Sequence, residues 1–323
     1  MLAVHLQSGQ VSVIQAATPQ PPPGHALIRM LVAGVCNTDL ELLQGYSAFS
    51  GTPGHEFVGE VVSAGDSSLV GQRVVGEINL ACNRCEFCRH GLQRHCPNRT
   101  VLGIVQHPGA FAEFLTLPEE NLHVLPDSLA SEQAVFVEPL AAACEILDQV
   151  DIRPGTPVAV LGDGKLGLLI AQLLHVHGAN VMLYGRHEHK LAIARRAGIA
   201  GTLAETDLRE RYPFVVECTG SAAGLERAVC LTRPRGKIIL KSTVHNRVPL
   251  DTAPVIVNEI SLLGSRCGRF EPAIELLKSK KIDVTSLLAA EFPLSEAPRA
   301  FTRAQERGTL KILLRNDQDE RAS

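Results

Sequence analysis

The sequence carries little net charge and contains no long apolar segment. Lysine and arginine total 31 against 34 aspartate and glutamate, a net charge of −3, so the chain lacks the basic excess that nucleic acid or an anionic membrane attracts. No apolar run reaches the roughly 18 residues that a membrane-spanning helix needs. The opening residues, MLAVHLQSGQ, lack the basic start and apolar centre of a signal peptide. These absences predict a cytoplasmic protein without nucleic-acid or membrane partners.

Cysteines are present without any sign of secretion. The chain has nine of them among 323 residues, and in a reducing compartment we expect metal ligands or free thiols rather than disulfides. The length suffices for two domains. An apolar content of 45% with 20% charged residues is typical of a soluble globular protein.

The first third of the chain has the pattern of a β-rich domain. Short strand-like runs separated by glycine and proline lie at residues 11–14, 26–35, 57–64, 71–78 and 111–117. Many short strands with such turns between them predict a compact, partly open β-barrel.

Strands and helices alternate from about residue 133 onward. Helices are predicted at residues 134–150, 168–177, 190–197, 222–231 and 271–280, and strands at 158–161, 181–184, 214–218, 237–240 and 260–263. This alternation predicts a doubly wound parallel sheet. Near the end we expect a break at Pro298 followed by a helical run, then a strand at 311–314 and a frayed polar tail at 316–323. The predicted domains are 1–148, completed by 269–323, and 149–268.

A glycine turn links the first strand of this region to its helix. Residues 158–161 run into Gly162, Gly164 and Gly167, the GxGxxG spacing of dinucleotide sites. Gly162 allows the tight turn, Gly164 lets the backbone approach a pyrophosphate, and Gly167 lets the helix pack on the strand. The N-terminus of that helix favours phosphate charge. The alternative is a glycine turn of purely structural value.

Four cysteines lie in a loop-like segment with the spacing of a metal site. Cys82, Cys85, Cys88 and Cys96 can converge on one tetrahedral ion. Four sulfurs leave no open position, so a zinc ion here would be structural. An iron–sulfur cluster is the alternative, but the last spacing is seven residues rather than the three of ferredoxins. A nucleic-acid zinc knuckle is the other alternative, and the acidic net charge argues against it.

Three further residues could form a catalytic metal site. Cys36 follows a strand, His55 precedes one, and Glu138 begins a helix. One cysteine, one histidine and one carboxylate would leave a fourth zinc position open. Each also has an ordinary explanation: a small core cysteine, a turn histidine, or an acid at a helix N-terminus.

These motifs together resemble the zinc-dependent medium-chain dehydrogenase/reductases, the alcohol and polyol dehydrogenase family. The resemblance covers almost the whole chain and implies a GroES-like partly open barrel plus a Rossmann domain. Metal-free quinone reductases of the same superfamily typically lack both the cysteine loop and the GHE motif. The matching motifs are GVCNTD at 34–39, GHEFVGEV at 54–61, the cysteine loop, VEPLA at 137–141, the glycine turn, ECTG at 217–220, and FPL…AF…K between 292 and 311.

The resemblance implies a catalytic zinc on Cys36, His55 and a third ligand. In polyol-type members that ligand is a glutamate before a proline, which Glu138 matches. Glu56 matches a nearby second carboxylate that can move onto the metal. Cys144, although close in sequence to Glu138, does not align with a ligand.

The resemblance also implies a reaction. Hydride passes between a secondary alcohol or polyol and NAD(P), or back in carbonyl reduction, and Thr38 matches the residue that takes the hydroxyl proton. Where many members end the proton relay with histidine, this chain has Glu41, so the relay ends at Glu41 or at water. Tyr46, Phe49 and Phe111 could line the substrate pocket, but they could equally lie in the core or on the surface. Alternative functions are a reductase with only a structural zinc, and a non-catalytic dinucleotide-binding protein.

The end of the second dinucleotide-domain strand indicates NADP rather than NAD. NAD enzymes of this fold usually have an acid there, but the position is Gly185. Arg186 follows and can bind a phosphate bidentately, and Glu188, the nearest acid in sequence, lies past the expected position. The alternative is a solvated helix start with no role in binding. We expect a homodimer or homotetramer, with these cofactor contacts: Gly162, Gly164, Lys165, Leu166, Gly167, Gly185, Arg186, Lys190, Cys218, Thr219 and Lys311.

Overall fold

A computed structural model describes residues 1–46, 49–204, 210–243 and 247–317 of the protein. It forms two compact units. Met1–Glu138 and the chain from Leu288 onward make the first unit, and Pro139–Leu287 makes the second. The domain limits at residues 148 and 268 stay a prediction.

The secondary structure comprises strands and helices in both units. The strands are β1 (Leu2–Gln7), β2 (Gln10–Gln15), β3 (His25–Val35), β4 (Glu56–Ser63), β5 (Arg73–Gly76), β6 (Asn79–Leu80), β7 (Thr100–Leu102), β8 (Gln106–His107), β9 (Phe114–Pro118), β10 (Leu122–Val124), β11 (Pro157–Leu161), β12 (Asn180–Gly185), β13 (Ala200–Leu203), β14 (Tyr212–Glu217), β15 (Thr232–Leu240), β16 (Ser261–Gly264), β17 (Leu288–Pro293) and β18 (Lys311–Arg315). The helices are α1 (Asn37–Leu43), α2 (Glu86–Arg89), α3 (Ser131–Ala134), α4 (Val137–Gln149), α5 (Lys165–Val176), α6 (Glu188–Arg196), α7 (Ala222–Leu231), α8 (Ala253–Val257), α9 (Phe270–Lys278) and α10 (Ala297–Gln305). Within the described ranges, no helix is both long and apolar enough to cross a membrane.

A seven-stranded sheet forms the frame of the first unit. Its order is β10-β5-β4-β3-β18-β17, with β9 also paired to β3. Along most of β3, buried side chains alternate with half-buried ones, because successive residues of a strand point to opposite faces. The hairpin β1–β2 and the small sheet β6-β7-β8 complete the unit. The predicted β-rich barrel-like domain is confirmed.

A six-stranded parallel sheet forms the second unit. Its order is β13-β12-β11-β14-β15-β16, the 3-2-1-4-5-6 order of dinucleotide-binding folds. In β11, Val158 to Leu161 are all at most 1% exposed, as expected for a strand covered on both faces by helices. The predicted doubly wound sheet is confirmed.

One detail near the C-terminus agrees with the prediction and one differs from it. The helical run predicted after the break at Pro298 is α10, and Pro298 lies in its first turn, where its missing N–H would have had no partner in any case. Asn316, predicted to fray, is fully buried, and its side chain donates to the carbonyl of Met30 at 2.9 Å. Within the predicted tail, residues 318–323 lie outside the described residues.

Candidate active site

A cysteine, a histidine and a glutamate converge where β3 ends and β4 begins. Cys36 follows β3, His55 precedes β4, and Glu56 is the first residue of β4. Antiparallel pairing of the two strands sets Gly34 opposite Glu56. One ligand atom from each of the three residues lies within 4.8 Å of the other two. The fold therefore brings together a possible metal-binding group from segments about twenty residues apart in the chain.

Asp39 supports two members of this group. The backbone N–H of Cys36 donates to Asp39 Oδ2 at 2.8 Å, and Asp39 Oδ1 lies 3.5 Å from His55 Nδ1. Asp39 Oδ1 and His55 Nδ1 are both buried, and neither has a hydrogen-bond partner among the described residues. Asp39 was not among the predicted site residues, although its position three residues after Cys36 is that of an acid in a helix capping box.

The electrostatics of the group favour a bound cation. Burial lowers the pKa of His55, but the charges of Asp39 and Cys36 outweigh this effect and raise the pKa above its ordinary value. An imidazole held between a carboxylate and a thiol gains from a positive charge, carried by a proton or by a metal. Cysteine, histidine and glutamate are also the donor types that zinc prefers. The residues present therefore fit the zinc that the sequence predicts.

Lys311 contacts the same group from β18. Its ammonium forms an ion pair with Glu56 Oε2, and both side chains are 1% exposed. Burial lowers the pKa of Lys311, but the charges of Glu56 and Cys36 raise it above its ordinary value. A Cβ at Gly34 would lie 2.7 Å from Glu56 Oε2, so this position requires glycine. Lys311, which the sequence predicts as a cofactor contact, therefore has its ammonium paired with Glu56 in the first unit.

Close packing holds the loop that carries His55. Gly54 has a φ of +100°, which favours glycine, and a Cβ there would meet the Phe111 ring at 2.5 Å. A Cβ at Gly109 would lie 2.2 Å from the carbonyl oxygen of Pro53. Phe111 is fully buried and makes an edge-on contact with the Phe301 ring at 5.9 Å between centroids. Among pocket, core and surface, the structure therefore places Phe111 in the core.

The other predicted catalytic residues lie on α1 and α4. Thr38 is in the first turn of α1, with its hydroxyl oxygen 3.7 Å from Cys36 Sγ. Glu41 is half-buried three residues later, and this spacing places both side chains on one side of the helix. Glu138 is half-buried in the first turn of α4 and does not belong to the group formed by Cys36, His55 and Glu56.

The four cysteines of the loop converge as predicted. Their sulfurs lie within 4.8 Å of one another, with Cys85 Sγ 3.4 Å from Cys88 Sγ and 3.7 Å from Cys96 Sγ. Tetrahedral zinc with Zn–S bonds of about 2.3 Å requires sulfurs about 3.8 Å apart. The backbone N–H groups of Arg84 and Cys85 lower the pKa of Cys82 to about 6, which favours the thiolate that binds metal.

The glycine turn of the second unit has the geometry that phosphate binding requires. Gly162 has a φ of +113°, and a Cβ there would meet the carbonyl of Cys218 at 3.0 Å. A Cβ at Gly167 would lie 2.0 Å from the carbonyl oxygen of Gly162, whereas a Cβ at Gly164 would face open space. That space allows a ligand to approach the backbone at Gly164. The other two predicted residues of the turn are half-buried in the first turn of α5: Lys165 and Leu166.

The side chain of Thr219, a predicted cofactor contact, forms hydrogen bonds to neighbouring side chains of the protein. Its backbone N–H donates to Glu217 Oε1 at 2.7 Å, and its hydroxyl contacts the same carboxylate. The hydroxyl also lies 2.9 Å from Ser221 Oγ. This network orders the end of β14 beside the glycine turn.

An acid that was not among the predicted cofactor residues contacts the end of β12. Asp163, from the glycine turn, accepts the backbone N–H groups of Arg186 and His187, each at 2.7 Å. A Cβ at Gly185 would lie 2.7 Å from its carboxylate. The nearest acid to Gly185 is therefore Asp163 and not Glu188, which is exposed and pairs with an arginine of α6. The acidic residue inside the GDG turn was the available signal.

Comparisons with known proteins agree with this architecture. Residues 22–127 match the family described as alcohol dehydrogenase GroES-like domain, and residues 166–279 match zinc-binding dehydrogenase. Sorbitol dehydrogenase of Halalkalibacterium halodurans is 30% identical over 321 residues, which cover 92% of this chain and 93% of that protein. D-arabitol-phosphate dehydrogenase of Enterococcus avium is 29% identical over 336 residues, covering 96% and 95%.

A solved structure shows the same fold. A zinc-binding dehydrogenase of Sinorhizobium meliloti 1021, crystallised with NADP, matches with a TM-score of 0.89 at 29% identity, covering 97% of this chain and 98% of its own. The chain belongs to the zinc-dependent medium-chain dehydrogenase/reductase family, as the sequence motifs predict. It is an oxidoreductase that transfers hydride between an alcohol and a nicotinamide cofactor.

Proposed function

We propose that this dehydrogenase acts on secondary alcohols or polyols, or on the corresponding carbonyl compounds, with NADP as the preferred cofactor. The observation that carries the proposal is the convergence of Cys36, His55 and Glu56 within 4.8 Å. The polyol class is supported by the names of the two relatives, which are dehydrogenases of sorbitol and of D-arabitol phosphate.

We further propose two zinc ions in each chain. The four-cysteine loop would hold the structural one, and Cys36, His55 and a carboxylate would hold the catalytic one. Glu56 supplies that carboxylate in the arrangement described, and Glu138 is the alternative. When bound, the catalytic zinc supplies a Lewis acid that lowers the pKa of a hydroxyl group. Thiol-rich sites of this kind fit the cytoplasm, where cysteines stay reduced.

The protein's own residues supply positioning and proton transfer. Asp39 fixes the backbone of Cys36 and faces His55 Nδ1, an outer-sphere arrangement that orients an imidazole for metal binding through its other nitrogen. Thr38 would accept the proton of the substrate hydroxyl. Glu41, one turn further along α1, would pass it on, with water as the alternative.

Arg186 supports the preference for NADP. It is exposed at the end of β12, where the adenosine ribose binds in this fold, and a guanidinium suits a phosphate. We expect Arg186→Ala to lower kcat/KM for NADP far more than for NAD, whereas Arg196→Ala, an exposed control on α6, should change neither. A higher wild-type kcat/KM with NAD, or an unchanged ratio in Arg186→Ala, would refute the preference. Gly185→Asp is unsuitable because Asp163 fills that space.

A turnover panel of alcohols, polyols and ketones with both cofactors tests the substrate class. Oxidation of secondary alcohols or polyols well above that of primary alcohols is the expected result. A protein with one zinc per chain and activity only as a reductase would indicate the reductase alternative. Bound dinucleotide without any turnover would indicate the non-catalytic alternative.

We propose that the chain forms a homodimer through the edge of its parallel sheet. β16 ends that sheet, and Ile256 and Val257 nearby in sequence are 72% and 80% exposed. An exposed strand edge beside apolar side chains favours pairing with a second copy. Ile256→Lys combined with Val257→Lys should give a monomer in sedimentation velocity, whereas Val176→Lys, on a separate exposed site, should not. A wild-type monomer would contradict this assignment.

A further inference from the structure

Asp163 is a buried acid at the place where this fold meets the cofactor ribose. It lies between Gly162 and Gly164 and is 6% exposed. Besides the two backbone N–H groups, its carboxylate contacts the ring of His187, with Nδ1 3.0 Å from Oδ2. The same carboxylate fills the space that a side chain at Gly185 would need. Glycine at position 185 is therefore required by Asp163, whichever cofactor binds.

The contacts of Asp163 leave little of it for a ribose. In NAD enzymes of this fold, a carboxylate at the strand end accepts the ribose hydroxyls. Asp163 instead uses Oδ2 for two backbone donors and the His187 ring. Its contacts also occupy the backbone N–H groups of Arg186 and His187, so these two groups are not open to a cofactor phosphate.

Three basic residues lie between the end of β12 and the first turn of α6, where Asp163 makes its contacts. Arg186 is exposed, the His187 side chain is 34% exposed, and Lys190 is 5% exposed. Burial holds the pKa of Lys190 below its ordinary value, and the charge of Asp163 offsets part of that shift. Asp163 therefore helps to keep a buried ammonium charged and holds the loop between β12 and α6 in place.

We propose that Asp163 is a positioning residue that establishes the preference for NADP. It orders residues 185–187 and balances the charge of Lys190, so that Arg186, His187 and Lys190 together bind the 2′-phosphate. This inference rests on the NADP preference proposed above. It is opposed to the simpler expectation that an acid beside the ribose repels a 2′-phosphate and selects NAD.

Calorimetric binding of two nucleotides to the full-length protein tests the proposal. Adenosine 2′,5′-bisphosphate and 5′-AMP differ only in the 2′-phosphate. Asp163→Asn should weaken the bisphosphate roughly tenfold or more, the usual effect of losing a charged hydrogen-bond partner, and leave 5′-AMP nearly unchanged. Asp151→Asn, an exposed aspartate of the same unit, should change neither. Lys190→Met removes one of the cations proposed to bind the 2′-phosphate. It should likewise weaken binding of the bisphosphate and leave 5′-AMP nearly unchanged.

Three outcomes would overturn the proposal. Equal weakening of both nucleotides by Asp163→Asn and by Lys190→Met would mean a purely structural role. Tighter bisphosphate binding by Asp163→Asn would mean that the carboxylate repels the phosphate. If the wild-type protein binds the bisphosphate no better than 5′-AMP, the NADP preference itself fails; that result is distinct, because it appears before any substitution is made.

Discussion

The ammonium of Lys311 in β18 pairs with the carboxylate of Glu56 in β4, and each side chain is 1% exposed. The two strands lie on either side of β3, so the pair spans the centre of the first unit's sheet beside Cys36. The Lys311 ammonium also lies 5.5 Å from the centre of the Phe136 ring. A pair so fully removed from water is sensitive to the loss of either partner, because the remaining charge stays buried without compensation.

Lys311→Met should therefore destabilise the protein strongly. We expect the free energy of unfolding to fall by about 3–5 kcal/mol, the usual cost of breaking a buried pair. Arg269→Met is the matched control, since it breaks an exposed pair with Asp148 and should cost about 1 kcal/mol or less. Urea unfolding followed by circular dichroism suits a chain without tryptophan. Similar losses in the two variants would show that the Lys311 pair is not effectively buried.

The parallel sheet was predictable from sequence, whereas this ion pair was not. Strands such as β11 are continuous apolar runs followed by glycine, a local signal that predicts a buried parallel strand. Lys311 and Glu56 lie 255 positions apart, and no local pattern links them. Asp163 likewise contacts the end of β12 only because Gly162 adopts a positive φ and turns the chain there.

The metal site was predictable in part. Cys36 and His55 can be predicted as ligands from their residue types and motifs, and the structure brings them together. The third ligand cannot be predicted from sequence, because Glu56 and Glu138 are both acids next to the start of a strand or helix. Only the folded chain shows which carboxylate lies near the other two ligands. Asp39 is not distinguished by sequence alone, because an acid early in a helix is common as a cap.

Two classes of cysteine substitution should separate the two proposed zinc ions. The wild-type protein should contain about two zinc ions per chain. Cys36→Ser should retain about one, keep its fold and lose turnover, because only the open site is lost. Cys96→Ser should fail to fold or assemble, because four-sulfur zinc sites contribute to folding. The exposed Cys230 provides the control Cys230→Ser, which should match the wild type.

Elemental analysis with circular dichroism measures metal content and folding together. Iron with visible absorbance in place of zinc would indicate a cluster and refute the structural zinc. Unfolding of Cys36→Ser to the same extent as Cys96→Ser would contradict the separation of catalytic and structural sites.

Two isosteric substitutions should identify the carboxylate ligand. Glu56 lies within 4.8 Å of Cys36 and His55, so Glu56→Gln should lower zinc affinity at that site by roughly 10–100-fold or more, at least the effect of losing an outer-sphere partner. Glu138→Gln should have the smaller effect. Competition with a chelator for the more weakly held ion provides the measurement. The reverse order of affinities would assign the ligand to Glu138, as the sequence resemblance implies.

Thr38→Ala should slow the reaction without loss of metal. The Thr38 hydroxyl lies 3.7 Å from Cys36 Sγ, in reach of a substrate bound beside that ligand, and a positioned proton acceptor contributes roughly 10²–10⁴-fold to kcat. Thr302→Ala, on the exposed face of α10, is the matched control and should be as active as the wild type. Steady-state kinetics with elemental analysis tests both. A Thr38→Ala enzyme as fast as the parent would remove Thr38 from proton transfer, and an altered pH–rate profile in Glu41→Gln alone would move that role to Glu41.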